Sequence, residues 1–336
     1  MRNRLFKLLG LLVLAASFAG GWLLMEYRLF VNNPMAVESE GAVVLVEPGT
    51  SLAGLAQGLE QDGFIRHPRF FVWMARLRGQ ATAIQAGEYG IAPGMTPPEL
   101  LARMTRGEVV QHDLTLVEGW TFRQVMAAVR ANAYLTPTLD GATPEAVMAR
   151  IGHPDEHPEG RFFPDTYHFP RGTTDVAFLQ RAYQAMEETL QAAWQDRDED
   201  LPYAGPYEAL IMASIVEKET AVPAERWRIA GVFVRRLEKG MRLQTDPTVI
   251  YGLGQEYDGN IRRRDLRRDT PYNTYVHKGL PPTPIAMPGA DAIEAAVHPA
   301  DGDALYFVSK GDGSHHFSAT LEEHNRAVRR YQLNGG

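Results

Sequence analysis

Between Leu8 and Met25 the chain runs for 18 residues, "LLGLLVLAASFAGGWLLM", without a single charged side chain. As a helix rising about 1.5 Å per residue, the run is about 27 Å long, just enough to cross a bilayer core. Arg2, Arg4 and Lys7 come before it. The positive-inside bias then keeps the N-terminus in the cytoplasm and exports everything after Glu26. A cleaved signal peptide is the other reading, with Ser17-Phe18-Ala19 as a small-x-small cleavage site. The apolar run continues past that site through Trp22, Leu23, Leu24 and Met25, and Trp22 and Tyr27 suit a membrane interface. The anchor is therefore preferred.

The remainder has the composition of a folded protein. The whole chain of 336 residues suffices for two or three domains, with 45% hydrophobic and 22% charged residues. Net charge is −7; in the first 28 residues four basic side chains against Glu26 leave +3, so the rest carries −10. An acidic body argues against nucleic acid as a partner, because phosphate binding rests on Lys and Arg. Cysteine is absent, which excludes disulfides, thiolate metal sites and a cysteine nucleophile.

The polar, Pro-containing stretch "VNNPMAVESEG" reads as a linker, assigned to 29–39. A β-branched strand from Val43 to Val46 then meets a Pro-Gly turn. Thr50 or Ser51 caps a helix whose apolar positions are Leu52, Leu55, Ala56 and Leu59. A second helix covers Pro68 to Leu77, and "AGEYGIAPGMTPPELLARMTRGE" repeats the order strand, Pro-Gly, Thr cap, helix. Residues 40–108 thus read as a compact α/β module. From 109, "VVQHDLTLVEG" alternates like a strand, Thr121 caps a helix running to Tyr134, and Pro144 opens a short one ending near Gly152. "HPDEHPEGRFFPDTYHFPRGTT" reads as irregular. Helices follow from Thr174 to about Gln195, from about Pro206 to a break at Thr220, and from Pro223 to Gly240. "MRLQTDPTVIYGLG" and "DTPYNTYVHKGLPPTPIAMPG" read as mostly loop. "ALYFVSKGDGSHHFS" is a hairpin turning at Asp312-Gly313, before a C-terminal helix to about Tyr331.

Chemistry is sought first in "MASIVEKET", Met212 to Thr220, where Glu217, Lys218 and Glu219 end an apolar run. On a helical wheel Glu217 continues the row Leu210, Ala213, and Glu219 continues the row Met212, Ile215 and Val216. The helix is apolar on nearly all sides up to Glu217 and so reads as buried. A carboxyl at the end of such a helix loses hydration and its pKa rises, which suits a general acid near neutral pH. The plainer reading leaves both glutamates exposed at a fraying terminus, or pairs them with Lys218 and Arg226. The local pattern does not separate the two.

The run "MASIVEKET…RRLEKGMRLQTDPTVIYGLG…TPYNTY…GLPPTPIAMPG…HP…LYFVSKGDGSHHFS" resembles the MltG/YceG-like endolytic murein transglycosylases. So do "AGEYGIAPGMTPPELLARMTRGE", "EGRFFPDTYHFPRGTTD" and the N-terminal anchor, so the likeness spans nearly the whole chain. It implies an α+β protein with an N-terminal transmembrane helix (1–28), a small LysM-like α/β module (40–108) and a larger mixed α+β catalytic domain (109–336). It also implies a single-pass protein of the bacterial inner membrane, its N-terminus cytoplasmic and its catalytic part periplasmic or extracytoplasmic. Family members cleave MurNAc-β-1,4-GlcNAc bonds within peptidoglycan strands and leave 1,6-anhydroMurNAc ends. Their "SIVEKE" motif makes Glu217 the catalytic acid and Glu219 its supporting partner. A role in terminating nascent strands implies contact with cell-wall synthases. One departure stands in "GLPPTPIAMPG", where members often carry Gly after the two prolines and this chain has Thr283.

Around Glu217 the sequence offers polar and aromatic candidates for a glycan cleft. Gln244, Thr245 and Asp246 of "LQTDPT" can bond sugar hydroxyls or N-acetyl groups, although Asp246-Pro247-Thr248 also reads as the cap of the next helix. Tyr272, Asn273 and Tyr275 of "PYNTY" offer stacking faces and an amide, or a packed turn. "RFFPDTYHF" reads as core. His315 and His316 are adjacent on a strand and point to opposite faces, no HExxH spacing occurs, and neither a metal nor another cofactor is expected. Two rival readings remain: a non-enzymatic glycan-binding scaffold, and a hydrolase using Glu217 with a second carboxylate, Asp246. The module reads equally as a peptidoglycan binder or as a spacer.

Overall fold

The computed structural model describes residues 2–333. It divides into two compact units, Met1–His112 with Phe169–Gly172, and Asp113–His168 with Thr173–Gly336. The first opens with α1 (Arg2–Asn32), followed by β1 (Ala42–Val46), α2 (Leu52–Gln61), α3 (Pro68–Leu77), β2 (Gly87–Ile91) and α4 (Pro97–Arg106). β1 and β2 pair antiparallel from Ala42↔Ile91 to Val46↔Gly87. Alternation along β1 buries Val44 and Val46 and leaves Val43 and Leu45 outside. Ser51 caps α2 by accepting the Gly54 N–H at 3.0 Å, and Thr96 with Glu99 forms a capping box at α4. Leu59, Phe71, Met74, Tyr89, Leu100 and Met104 meet in the core between them.

The stretch read as a linker behaves differently from that expectation. α1 runs into it as far as Asn32, Met35 is buried, and the N–H groups of Met35 and Ala36 donate to the carbonyls of Met95 (2.8 Å) and Phe64 (3.1 Å). The cause is in the residues. Phe30, Val31, Met35 and Val37 join the module's core, and their burial outweighs the polar neighbours that made the stretch look solvated.

The second unit continues with β3 (Gln111–Thr115), shared at its start with the first, α5 (Phe122–Ala131), α6 (Pro144–Ile151), β4 (Thr166–Pro170), shared at its end with the first, α7 (Asp175–Asp196) and α8 (Pro206–Glu219). Then come α9 (Arg226–Glu238), α10 (Asp246–Leu253), α11 (Ala290–Val297), the hairpin β5 (Tyr306–Ser309) and β6 (His315–Ser318), and α12 (Leu321–Val328). The sheets are two-stranded: β1-β2, β3-β4 and β5-β6.

Three boundaries differ from the sequence reading. β4 lies in the stretch read as irregular; it alternates, with Tyr167 and Phe169 inward, and Thr115 and Thr166 join hydroxyls at 2.8 Å. α10 lies in a stretch read as mostly loop, because Thr245 can stand at its cap, Pro247 in its first turn, and Thr248, Val249 and Leu253 are buried. α5 stops at Ala131 rather than Tyr134, since the Asn132 side chain turns back to accept the N–H groups of Tyr134 and Leu135.

Candidate active site

α8 is the axis of the second unit's core. From Ala209 to Val216 eight successive residues are buried, so beyond its first turn no face of the helix meets water before Glu217. Ser214 is the polar member of that run. It donates to the Ile211 carbonyl at 2.7 Å and accepts the Ile285 N–H at 3.0 Å. Three residues on, along the same side of the helix, Glu217 meets the same incoming segment: the Gly289 N–H donates to its Oε2 at 3.1 Å. Ser214→Ala is expected to leave the buried Ile285 N–H unpaired and to lower stability by about 1–3 kcal/mol, which chemical denaturation measures.

Glu217 is enclosed from other directions as well. Met287 and the segment 119–120 exchange two backbone bonds, Gly119 N–H to Met287 O at 2.8 Å and Met287 N–H to Trp120 O at 2.7 Å. This holds Glu118 over Gly289, where any Cβ would run into the Glu118 carboxyl. Arg226, at the start of α9, bonds Asp291 at 2.9 Å and stands 3.6 Å from both Glu217 Oε1 and Glu118 Oε2. Lys218 turns away to donate to the Gly119 carbonyl at 3.1 Å. The Glu217 side chain is 7% exposed, which disposes of a fraying terminus; the expected pairing with Arg226 is present, but in a sheltered place.

Burial pushes the Glu217 carboxyl above its ordinary range. The Gly289 N–H and Arg226 pull it back down, and Glu118 pushes it up again. Such a group holds a proton longer than a free glutamate, yet has a donor and a cation ready for its carboxylate. It can give a proton in one step and take one in the next.

Glu219 faces a different neighbourhood. The Thr245 hydroxyl donates to its Oε1, and burial, reinforced by Asp246, sets its pKa at about 7 against the pull of Thr245, His315 and Arg236. Thr245 is buried; its N–H donates to Thr274 Oγ1 at 3.1 Å. Asp246 accepts the Tyr275 hydroxyl at 2.6 Å. Glu219–Thr245 and Asp246–Tyr275 are thus two hydrogen-bonded pairs on neighbouring residues of one segment. Gln244 precedes them, its backbone held left-handed at φ 54° with its N–H on the Thr274 carbonyl at 3.2 Å. Asn273 is 1% exposed and braces its own loop, donating to the carbonyls of Asp265 and Arg268 and accepting the Tyr275 N–H. Tyr272 stands edge-on to Tyr251 and shares a 2.9 Å hydroxyl contact with Thr283. The departure at Thr283 is therefore occupied locally, its hydroxyl also donating to the Pro284 carbonyl at 2.8 Å.

Sequence reasoning missed Glu118, Gly289 and Asp291 beside Glu217. Their signals were a Glu-Gly pair and a Pro-Gly pair at loop ends, which name turns and not partners. It also missed Glu159, a buried carboxyl that accepts the Phe122 N–H at 2.8 Å and the Tyr251 hydroxyl at 2.9 Å, with a pKa raised by burial to about 7.

Fold and site together define a mixed α+β protein whose buried central helix ends in two carboxyls kept from water, the furniture of an acid–base enzyme. The YceG-like family model matches residues 44–330, and the chain belongs to that family. It is 32% identical over 342 residues to an endolytic murein transglycosylase of Bacillus subtilis, covering 95% of this chain and 91% of that protein. An endolytic murein transglycosylase of Streptococcus pneumoniae is 29% identical over 95% of this chain and 63% of its own length. The crystal structure of a YceG-like protein from Listeria monocytogenes matches with a TM-score of 0.55 and 30% identity, over 86% of this chain and 99% of that one.

Proposed function

We propose that this chain is a membrane-anchored endolytic lytic transglycosylase. It cleaves MurNAc-β-1,4-GlcNAc bonds within peptidoglycan strands, leaves 1,6-anhydroMurNAc ends, and so terminates nascent strands. The observation that carries this reading is the sheltered Glu217 carboxyl, with its raised pKa and the Gly289 N–H on Oε2. Protonated Glu217 gives its proton to the leaving glycosidic oxygen as the C1–O bond breaks. The resulting carboxylate then takes the proton of the MurNAc C6 hydroxyl, whose oxygen closes on C1 of its own ring. The nucleophile belongs to the substrate, so one carboxyl serves both steps, and proximity replaces a bound water.

Glu219 acts as a support, its pair with Thr245 and the neighbouring Asp246–Tyr275 pair shaping the cleft wall. Asp246 is engaged by Tyr275, which favours this role over that of a hydrolase's second carboxylate. α1 includes Arg4–Asn32, a stretch long and apolar enough to cross a membrane, and we take it as the anchor, N-terminus in the cytoplasm. Residues 40–108 are read as the LysM-like module and 109–336 as the catalytic domain. Mass spectrometry of digested glycan strands tests the reaction. Products lighter by one water than reducing-end MurNAc fragments are expected; reducing ends would mean hydrolysis, and no cleavage would leave a binding scaffold.

A further inference from the structure

α3 is bound to the core on one side and open on the other, and its place along α1 says what lies against the open side. Phe71, Met74 and Ala75 face the first unit's core. Phe70 meets Tyr27 and Phe30 of α1 edge-on, with ring centres 5.9 and 5.8 Å apart. Opposite, Arg69, Trp73, Arg76 and Leu77 follow one another at i, i+4, i+7 and i+8, a single stripe of the helix. Trp73 is 43% and Leu77 78% exposed. A groove of about 530 Å³ runs between these two residues and Gly20, Leu23 and Leu24 of α1.

Gly20, Leu23 and Leu24 lie inside the uncharged run that ends at Met25. Gly20 is about 7 Å short of that end at 1.5 Å per residue. With α1 across the bilayer, side chains packed beside it at that depth share its surroundings. We propose that α3 is an interfacial helix: Trp73 and Leu77 dip into the acyl-chain edge of the outer leaflet, and Arg69 and Arg76 reach the lipid phosphates. The depth agrees with the roughly 5–10 Å to which amphipathic helices sink. Trp at the headgroup boundary and Arg stems that carry their charge outward are the side chains that suit such a position. The first unit is thereby pressed onto the membrane surface, not swung on a flexible tether. This rests on the reading of α1 as a membrane span.

The absence of cysteine allows a direct test on the full-length chain. Leu77→Cys and, separately, Leu14→Cys each carry a nitroxide in vesicles containing anionic phosphatidylglycerol, and collisions with oxygen and with a water-soluble nickel chelate are compared. Oxygen should dominate at both, with Leu77 shallower than Leu14. Nickel dominating at Leu77 while oxygen dominates at Leu14 overturns the proposal and leaves the anchor standing. Shielding of Leu77 from both reagents means that protein covers the stripe, and also overturns it. Nickel dominating at Leu14 removes the membrane span itself, and the proposal with it. Charge reversal by Arg69→Glu with Arg76→Glu should move the Leu77 label toward water; an unchanged depth refutes the phosphate contacts.

Discussion

Glu217→Gln is expected to reduce strand cleavage by about a hundred- to ten-thousand-fold, the range a positioned general acid and base contributes, in a protein that folds normally. The amide keeps the size of the side chain and retains an oxygen for the Gly289 N–H, but has no proton to give to the leaving oxygen. Stability should hold or rise, because burial disfavours the charged form of Glu217 and the amide has no charge to desolvate. The loss should fall on kcat, with KM little changed, since the group acts on the transition state. Cleavage is measured as anhydro ends released, stability by thermal melting. A Glu217→Gln protein that releases these ends at the normal rate would exclude Glu217 as the acid. The wild-type rate should fall as pH rises through the raised pKa, since the first step needs the protonated form.

Arg226→Met should act on both limbs of this chemistry. The guanidinium, 9% exposed in its side chain, stands among Glu118, Glu217 and Asp291. Removing one partner of a buried ion pair costs about 3–5 kcal/mol when the other is left charged and dry. Here Glu118 and Asp291 are about half exposed and can turn to water, and Glu217 can take up a proton, so a loss below about 3 kcal/mol is expected. Its sign with pH follows from the shift. Arg226 lowers the Glu217 pKa; without it the folded-state value rises further above the unfolded one. The folded state then binds the proton more tightly, so the variant's deficit is smallest at low pH and grows as pH rises through the raised pKa. Denaturation at about pH 5 and about pH 8 reads that difference. The basic limb of the pH–rate profile should move to higher pH while the maximal rate falls, because the carboxylate formed after proton transfer has lost its cation. A basic limb that stays in place or moves to lower pH would show that Arg226 does not govern the Glu217 proton.

Much of the local structure was legible because its causes are local. Ser51 and Thr96 cap helices that their own next turns complete, Pro68 and Pro144 open helices they are shaped for, and "SKGDGS" turns a hairpin between two alternating runs. The errors fell where a distant contact outweighed the local pattern. β4 looked irregular because its prolines and aromatics suit a loop, until partners at Thr115 and Leu116 are in place. Residues 33–37 looked like a tether because Asn and Pro stand among the apolar side chains that dock on the module. Asn273 looked available to a ligand because an amide's partners, here two carbonyls of the preceding turn, are invisible in a string of letters.

The amino-acid sequence alone determined that an uncharged N-terminal run must become a helix of membrane length, and that a helix apolar on nearly all sides must be buried as far as its terminal glutamates. Both follow from periodicity and hydrophobic burial, which act over a few residues. Tertiary structure alone decided what each of the two glutamates meets. Glu217 meets Gly289, 72 residues further on, and Arg226, whereas Glu219 meets Thr245. Side chains two apart on a helix point in different directions, and what stands opposite each is set by segments that packing brings from far along the chain.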